Sequence, residues 1–529
     1  MSNPVTTPHL HKKIMKREGI GSTWQLKADA VVIGSGAGGA VAAATLAKAG
    51  WKVVLIEEGA SFHPGKFNDD EFLSNQRLYR DAGNILTEDQ TATILQGRGL
   101  GGSTIVNWQT SLYPPRYVTD EWRERFGLPG YGVDEMDEYI SSVHKRINVH
   151  EVPKNLINEN NSVLLRGGKK LGLNPEILLN NNVGCIGTGR CGLGCPINAK
   201  QSMFLTYIPD ALAAGATVVT NMRAVKISDG KTKTVTAEYT PDSFEESPAR
   251  VIESMKIDAP VVILSAGAIE GPALLLRSGL GNDWVGRNLK LHPTSAVLAR
   301  FPNKINMASG PPQSAVIKAG HNQDDTGYGF WLEVAPTRPA VTASALPFYG
   351  KQNFDIMKDY TYMNAGIVLV RDGADGQTDG RVEWSWGQRK VHFTLTPGDG
   401  RNLLRGLKML AEVQAAAGAT ELVFPFGSQQ EPVKVDPGTN FDWVLNESFA
   451  PNTLQVFSAH PHGSIQAAAD ARSGALSPDF ELYGHENIFV MDASWYPTGL
   501  SVNPQITTMS AALRASTKLA AQKATRLAG

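Results

Sequence analysis

The sequence predicts an α/β protein of two domains, one built on a strand–turn–helix–strand unit and one of α+β type with a mainly antiparallel sheet. Three observations predict it. The chain has 529 residues, whereas single hydrophobic cores stop growing near roughly 250 to 300 residues. Residues 29–57 read as strand, glycine turn, helix and strand in succession. Residues 301–451 mix strand-like runs (RVEWSW, KVHFTL) with one long helical run (RNLLRGLKMLAEVQAAAGA), as a sheet backed by a helix would.

The first unit is justified residue by residue. DAVVI at 29–33 is a short apolar strand that runs into GSGAGG at 34–39 and then into an alanine-rich helix. Gly34 suits the tight turn, Gly36 lets a backbone approach a pyrophosphate, and Gly39 lets helix and strand pack closely; Gly38, in the same turn, is also expected at the cofactor. The free N–H groups of the helix start favour an anion. KVVLI at 52–56 is the next strand, and it ends on Glu57, about 20 residues past the turn, where a carboxylate accepts from ribose hydroxyls. The unit is therefore Rossmann-like and predicts a bound dinucleotide.

Bulk properties exclude other classes. The composition is 42% hydrophobic and 19% charged with net charge −1, so no basic footprint for nucleic acid is present. No run approaches the roughly 18 to 20 apolar residues of a membrane span. The first 28 residues carry no apolar secretory core and no twin-arginine pair, so a cytoplasmic location is expected.

GRGLGGSTIVNWQT at 97–110 resembles the first signature of the glucose-methanol-choline (GMC) oxidoreductases. The resemblance implies FAD, with Ser103, Asn107 and Thr110 beside the flavin and Gly101 and Gly102 allowing close backbone approach. Some relatives attach the flavin through a histidine at the position held here by Val106, so FAD is expected to be non-covalent. SAGAIEGPALLLRSGLG at 265–281 resembles the second signature, with Glu270 where serine is common; ATVVTNMRAVKI at 216–227 resembles the strand that would bring Ala224 to the adenine. The family's organisation implies an FAD domain in three segments, 26–115, 205–300 and 452–525. A connecting segment with a cysteine loop spans 116–204, and a substrate domain spans 301–451.

The same resemblance places the chemistry in SAHPHGS at 458–464 and in the stretch from Asp492 to Gln505. His460 stands three positions before Gly463, the spacing of the family's base, and Asn503 takes the facing position. An imidazole with an ordinary pKa near 6.5 suits removal of an alcohol proton. Asn503 before Pro504 also reads as a helix cap with a first-turn proline, and the two roles are compatible. Asp492, Ala493, Pro504 and Gln505 are expected near the cofactor. FWLEVAP at 330–336 resembles the segment that carries an active-site glutamate in cholesterol oxidases, which makes Glu333 a candidate second base. Trp331, Phe348 and Tyr349 would suit a hydrophobic substrate.

Cys185, Cys191 and Cys195 lie within eleven residues in a glycine-rich loop. The spacing resembles the iron–sulfur loop of FAD-dependent sugar dehydrogenases, and three thiolates suit a three-iron cluster. The adjacent cysteine pair of those enzymes is absent, so a disulfide or three plain thiols remain alternatives. The expected reaction is FAD-dependent oxidation of a hydrophobic alcohol, long-chain, terpenoid or steroid-like, to the aldehyde or ketone, with oxygen or another acceptor taking the electrons. The alternatives are a sugar or polyol dehydrogenase working through the cluster, and a redox-neutral lyase or photodecarboxylase on the same fold.

Overall fold

A computed structural model of the chain describes residues 24–240, 254–376 and 380–528. Residues 1–23, most of the segment expected to carry no targeting signal, lie outside the described residues. The chain enters its first sheet at β1 (Ala30–Ile33), crosses through α1 (Ala37–Lys48) to β2 (Val53–Ile56), and adds β3 (Thr217–Val219) and β4 (Val261–Leu264) before α2 (Gly267–Ser278). Every residue of β1, β2 and β4 is buried. That explains their unbroken Val/Ile/Leu runs, because a parallel sheet covered on both faces has no solvent side to make polar.

The second sheet collects β5 (Thr294–Arg300), β6 (Phe330–Val334) and β7 (Met363–Val370), backed by α3 (Pro397–Ala416), and then β8 (Val456–Ser458). Its order is β6-β7-β5-β8, continuing into Ala92–Ile94 and Ile85–Leu86. The central pairs are antiparallel, and β8 runs parallel to Ala92–Ile94. Helix α3 starts on the Thr396 side chain, which accepts from Asp399 N, with Pro397 in the first turn. The chain then returns to the first sheet as β9 (Ile488–Val490) and ends in α4 (Gln505–Ala521). The first sheet therefore reads β9-β4-β1-β2-β3, parallel throughout.

Two separate hydrophobic clusters result, one around the parallel sheet and one around β5–β7 and α3, as the length requires. The sheets share chain segments more than sequence blocks suggest. Ala92–Ile94, β5 and β8 fall within segments expected in the dinucleotide domain, yet their ladders belong to the second sheet. RVEWSW and KVHFTL, expected in that sheet, instead form a separate hairpin, Arg381–Ser385 with Gln388–His392. Its two-residue loop, Trp386 and Gly387, has positive φ at both positions (54° and 75°), the twist that closes a tight hairpin. A closed two-stranded unit satisfies its own ladder and does not need the larger sheet.

Candidate active site

A cavity of about 950 Å³ lies between the two sheets. Its floor at one end is the glycine turn. Gly34 has φ +97°, and a Cβ there would stand 2.3 Å from Ser265 O. A Cβ on Gly38 would stand 1.7 Å from Met491 O, and one on Gly39 would stand 2.0 Å from Gly34 O. Gly36 differs: a Cβ would meet only Gly102 Cα, at 4.0 Å. Gly34, Gly38 and Gly39 thus serve the packing of strand against helix, while Gly36 holds space open on the cavity.

Helices α1 and α4 both begin on this cavity without a side-chain cap. Their first-turn N–H groups are therefore offered to whatever fills it. Glu57 lines the cavity and is braced by Ser35 N and Oγ (3.0 and 2.6 Å) and by Gly59 N (2.8 Å). Burial pushes its pKa up, against those hydrogen bonds. Gly102, Ser103, Asn107, Thr110, Ala224, Asp492, Ala493, Pro504 and Gln505 also lie on the wall. Gly39 and Gly101 lie behind it, with Gly101 N donating to Ser35 Oγ at 2.9 Å.

Two bonds set the 102–110 loop against the start of α4: Asn107 Nδ2 donates to Gln505 Oε1 (2.8 Å), and Gln505 Nε2 donates to Thr110 O (2.7 Å). Asn107 Oδ1 is buried without a partner. Such an atom is costly unless a ligand completes it. FAD fits this arrangement: the uncapped start of α1 and Gly36 for its pyrophosphate, Glu57 for a ribose, and the 102–110 loop with the start of α4 for the ring.

An unexpected charge cluster flanks the same end. Glu270 contacts Arg389, Arg223 (3.4 Å) and Arg80 (3.6 Å). Burial works to raise its pKa, but those guanidinium groups outweigh it and hold it at about 2. Glu58 takes Arg80 (2.6 Å) and Arg98 (3.4 Å). The departure from serine at 270 is thus a buried anion matched by arginines from three separate segments.

His460 lies on the opposite wall. Its Nε2 is 3.5 Å from Asn503 Nδ2, and its Nδ1 is 3.0 Å from His292 Nδ1. Burial, together with the His462 ring, lowers its pKa to about 3, so the imidazole is neutral at ordinary pH. His462 is not on the wall; its Nδ1 sits 2.6 Å from His460 O. Helix α4 starts one residue later than the Asn-Pro pattern indicates and has no side-chain cap. The Asn503 amide faces His460 instead, with Oδ1 buried and unpartnered.

Glu333 is buried in β6, off the cavity wall. Gln313 Nε2 donates to its carboxyl (2.5 Å), and Thr110 Oγ1 donates to Gln313 Oε1 (2.6 Å). Burial raises the Glu333 pKa to about 8, against a hydrogen bond from Asn503. A chain of contacts therefore runs Thr110–Gln313–Glu333–Asn503–His460–His292. Gln313 and His292 carry no sequence signal of their own; only the meeting of distant segments reveals them.

Trp331 and Phe348 are buried off the cavity wall and Tyr349 is 89% exposed. The apolar wall beyond His460 comes instead from Ala296, Leu298, Ile367, Leu369, Phe424 and Leu454. All but the partly buried Ala296 are core positions of the second sheet and its connections, and β5 and β7 also pack against α3.

The cysteine loop does not support a cluster. Among the described residues no group of three metal-ligating side chains converges. All three cysteines are free thiols off the cavity wall. Cys191 Sγ accepts from Gln109 Nε2 (3.0 Å), Cys185 Sγ from Gly187 N (3.4 Å) and Cys195 Sγ from Lys200 N (3.5 Å). Burial pushes the Cys191 thiol up to about 11, so it rests protonated at neutral pH.

A parallel sheet with an open glycine turn, facing a histidine and an asparagine across one cavity, defines a nucleotide-cofactor oxidoreductase. Comparison with known proteins sharpens this. Residues 29–64 match an FAD binding domain, and residues 75–294 and 376–512 match the GMC oxidoreductase family. The chain is 32% identical over 492 residues to a GMC-type oxidoreductase of Mycobacterium tuberculosis, covering 92% of this chain and 75% of the relative. It is 33% identical over 518 residues to a long-chain-alcohol oxidase of Arabidopsis thaliana, covering 94% and 68%. In fold it is similar to formate oxidase of Aspergillus oryzae, with TM-score 0.70 and 16% identity over 96% of this chain and all of that one. The chain belongs to the GMC oxidoreductase family and is an FAD-dependent oxidoreductase of the class that acts on CH–OH groups.

Proposed function

We propose that the protein oxidises a hydrophobic primary or secondary alcohol, with His460 as the base and Asn503 as the residue that orients the hydroxyl. The observation that carries this is the pairing of His460 Nε2 with Asn503 Nδ2, 3.5 Å apart on the cavity wall. A hydroxyl bridging them would give its proton to Nε2 and be held by the amide. FAD, when bound, supplies the acceptor for the hydride that leaves the carbinol carbon. Val106, where some relatives carry a linking histidine, has no nucleophile, and this supports a non-covalent flavin.

His460 is suited to the role because it is neutral when the alcohol arrives. The Asn503 amide nitrogen is in place on the cavity wall before substrate arrives, as a donor to the substrate oxygen. Glu333 acts through Asn503: its carboxyl anchors the amide and does not reach the cavity. The apolar wall from Ala296 to Leu454 favours an alkyl chain over a sugar, whose hydroxyls would be left unsatisfied there. The named activity of the Arabidopsis relative points the same way.

An anaerobic screen of the FAD-loaded protein tests this. Linear alkanols of increasing length should bleach the flavin absorbance faster as the chain lengthens, and admission of oxygen should restore it. Bleaching by sugars and by no alkanol would overturn the substrate class. A flavin untouched by any alcohol would overturn the reaction.

A further inference from the structure

His292 follows Leu291 at the entry to β5 and belongs to none of the motifs that mark the cofactor or the base. It is 1% exposed and takes a left-handed backbone, φ +52°, which is uncommon outside glycine. Asp372 holds that turn: its carboxylate accepts from Leu291 N (2.7 Å) and His292 N (3.3 Å). The turn aims the ring at His460, Nδ1 to Nδ1 at 3.0 Å with centroids 5.1 Å apart. His292 Nε2 is buried without a partner.

Resting on the assignment of His460 as the base, we infer that His292 is a positioning residue that fixes the tautomer of His460 and shares the charge it acquires. Only one proton fits between two Nδ1 atoms. Asn503 Nδ2 donates toward His460 Nε2, so Nε2 carries the lone pair and the His460 proton sits on Nδ1. His292 Nδ1 is then the acceptor, and its own proton is on Nε2. Without this acceptor only the long Asn503 contact, 3.5 Å, would favour this tautomer over the one with Nε2 blocked.

The acceptor matters most during reaction. The substrate proton would move to His460 Nε2 as the carbinol C–H bond breaks, and FAD, when bound, would supply the acceptor for the departing hydride. The carbonyl product and an imidazolium result. The His460 Nδ1–H bond to His292 then becomes charge-assisted, roughly twice as strong as a neutral one. That gain exists in the transition state and not in the resting enzyme, which is the condition for raising rate. A carboxylate in place of His292 would instead favour a protonated His460 before substrate arrives. The neutral ring leaves the base free and still accepts its proton's charge.

Stopped-flow reduction of FAD-loaded variants by an alkanol, without oxygen, tests the role. His292→Leu should slow flavin reduction by about a hundredfold, with the Kd for alkanol changed by less than about threefold. His292→Asn, whose amide oxygen replaces Nδ1 as acceptor, should recover at least about tenfold of that loss. Reduction of the Leu variant within about threefold of wild type overturns the proposal, as does an Asn variant no faster than the Leu variant. If the Leu variant fails to hold FAD, the Asn variant decides alone: reduction within about tenfold of wild type supports the role, and a hundredfold loss overturns it. His460→Ala run alongside separates the two ideas. Normal reduction in that variant would remove the base assignment, whereas a loss there with unaffected His292 variants would remove only this inference.

Discussion

Burial and the neighbouring His462 ring hold the His460 imidazole near a pKa of about 3, and burial holds His462 near about 4. A base acts when unprotonated, so its rate rises with pH through its pKa and is flat above. The rate constant for flavin reduction should therefore change less than about twofold between pH 5.5 and 7, measured by stopped flow. The same shifts cost stability at low pH. From the ordinary value near 6.5 downward, the unfolded chain binds protons that the folded one does not, so stability falls as pH drops toward 4. Glu333 behaves oppositely: raised to about 8 by burial, it is protonated at neutral pH and ionises above. A buried carboxylate beside Asn503 would disturb the amide, so an alkaline limb near pH 8 should appear in kcat/KM and vanish in Glu333→Gln. His460 could be singled out in the sequence because its spacing to Gly463 is local, and the structure puts it on the cavity wall. His292 was not, because it depends on Lys290 bridging His462 across the fold, a contact between segments about 170 residues apart that no local pattern encodes.

At the scale of elements, the glycine turn was read correctly in kind because strand, turn and helix each follow from neighbouring residues. The structure adds which glycine does what. Gly38→Ala would place a methyl 1.7 Å from Met491 O, inside the packing of α1 on the loop after β9. The backbone must move, and overpacking of this kind costs about 1 to 3 kcal/mol or more. The melting temperature should drop and FAD should be released more readily, whereas Gly36→Ala, whose methyl meets only Gly102 Cα at 4.0 Å, should keep the fold and weaken FAD binding alone. Glycines, caps and strands of one segment are legible for this reason. The hairpin at 381–392 was misplaced because a strand's sequence says that it pairs, not with which partner, and its Trp-Gly loop closes it on itself. Asn503 shows the reverse case. Its local signal was that of a cap, and its tertiary neighbour took the side chain.

At the scale of the molecule, the two cores are joined across the nucleotide end by charge. Glu270 sits on α2 of the first unit and Arg389 on the 381–392 hairpin, which also packs on that helix. Removing the carboxylate with Glu270→Gln leaves Arg80, Arg223 and Arg389 facing one another in a half-buried site. Breaking a buried pair in this way costs about 3 kcal/mol, so melting temperature should fall and FAD should dissociate faster, followed by the rise of free flavin fluorescence. The Rossmann-like unit and the mixed α/β class were foreseen from patterning. The exchange of β5 and β8 into the second sheet was not, because segment order along the chain does not fix which sheet a strand joins.

The central claim is that His460 takes a proton from an alcohol whose hydride goes to the flavin. The most direct measurement is single-turnover reduction of the FAD-loaded enzyme by a long-chain primary alkanol without oxygen, wild type against His460→Ala. Bleaching in the wild type and a loss of at least about a hundredfold in the variant, with FAD still bound, is the predicted result. Equal rates in the two proteins, or a wild-type flavin that no alkanol bleaches, would contradict it.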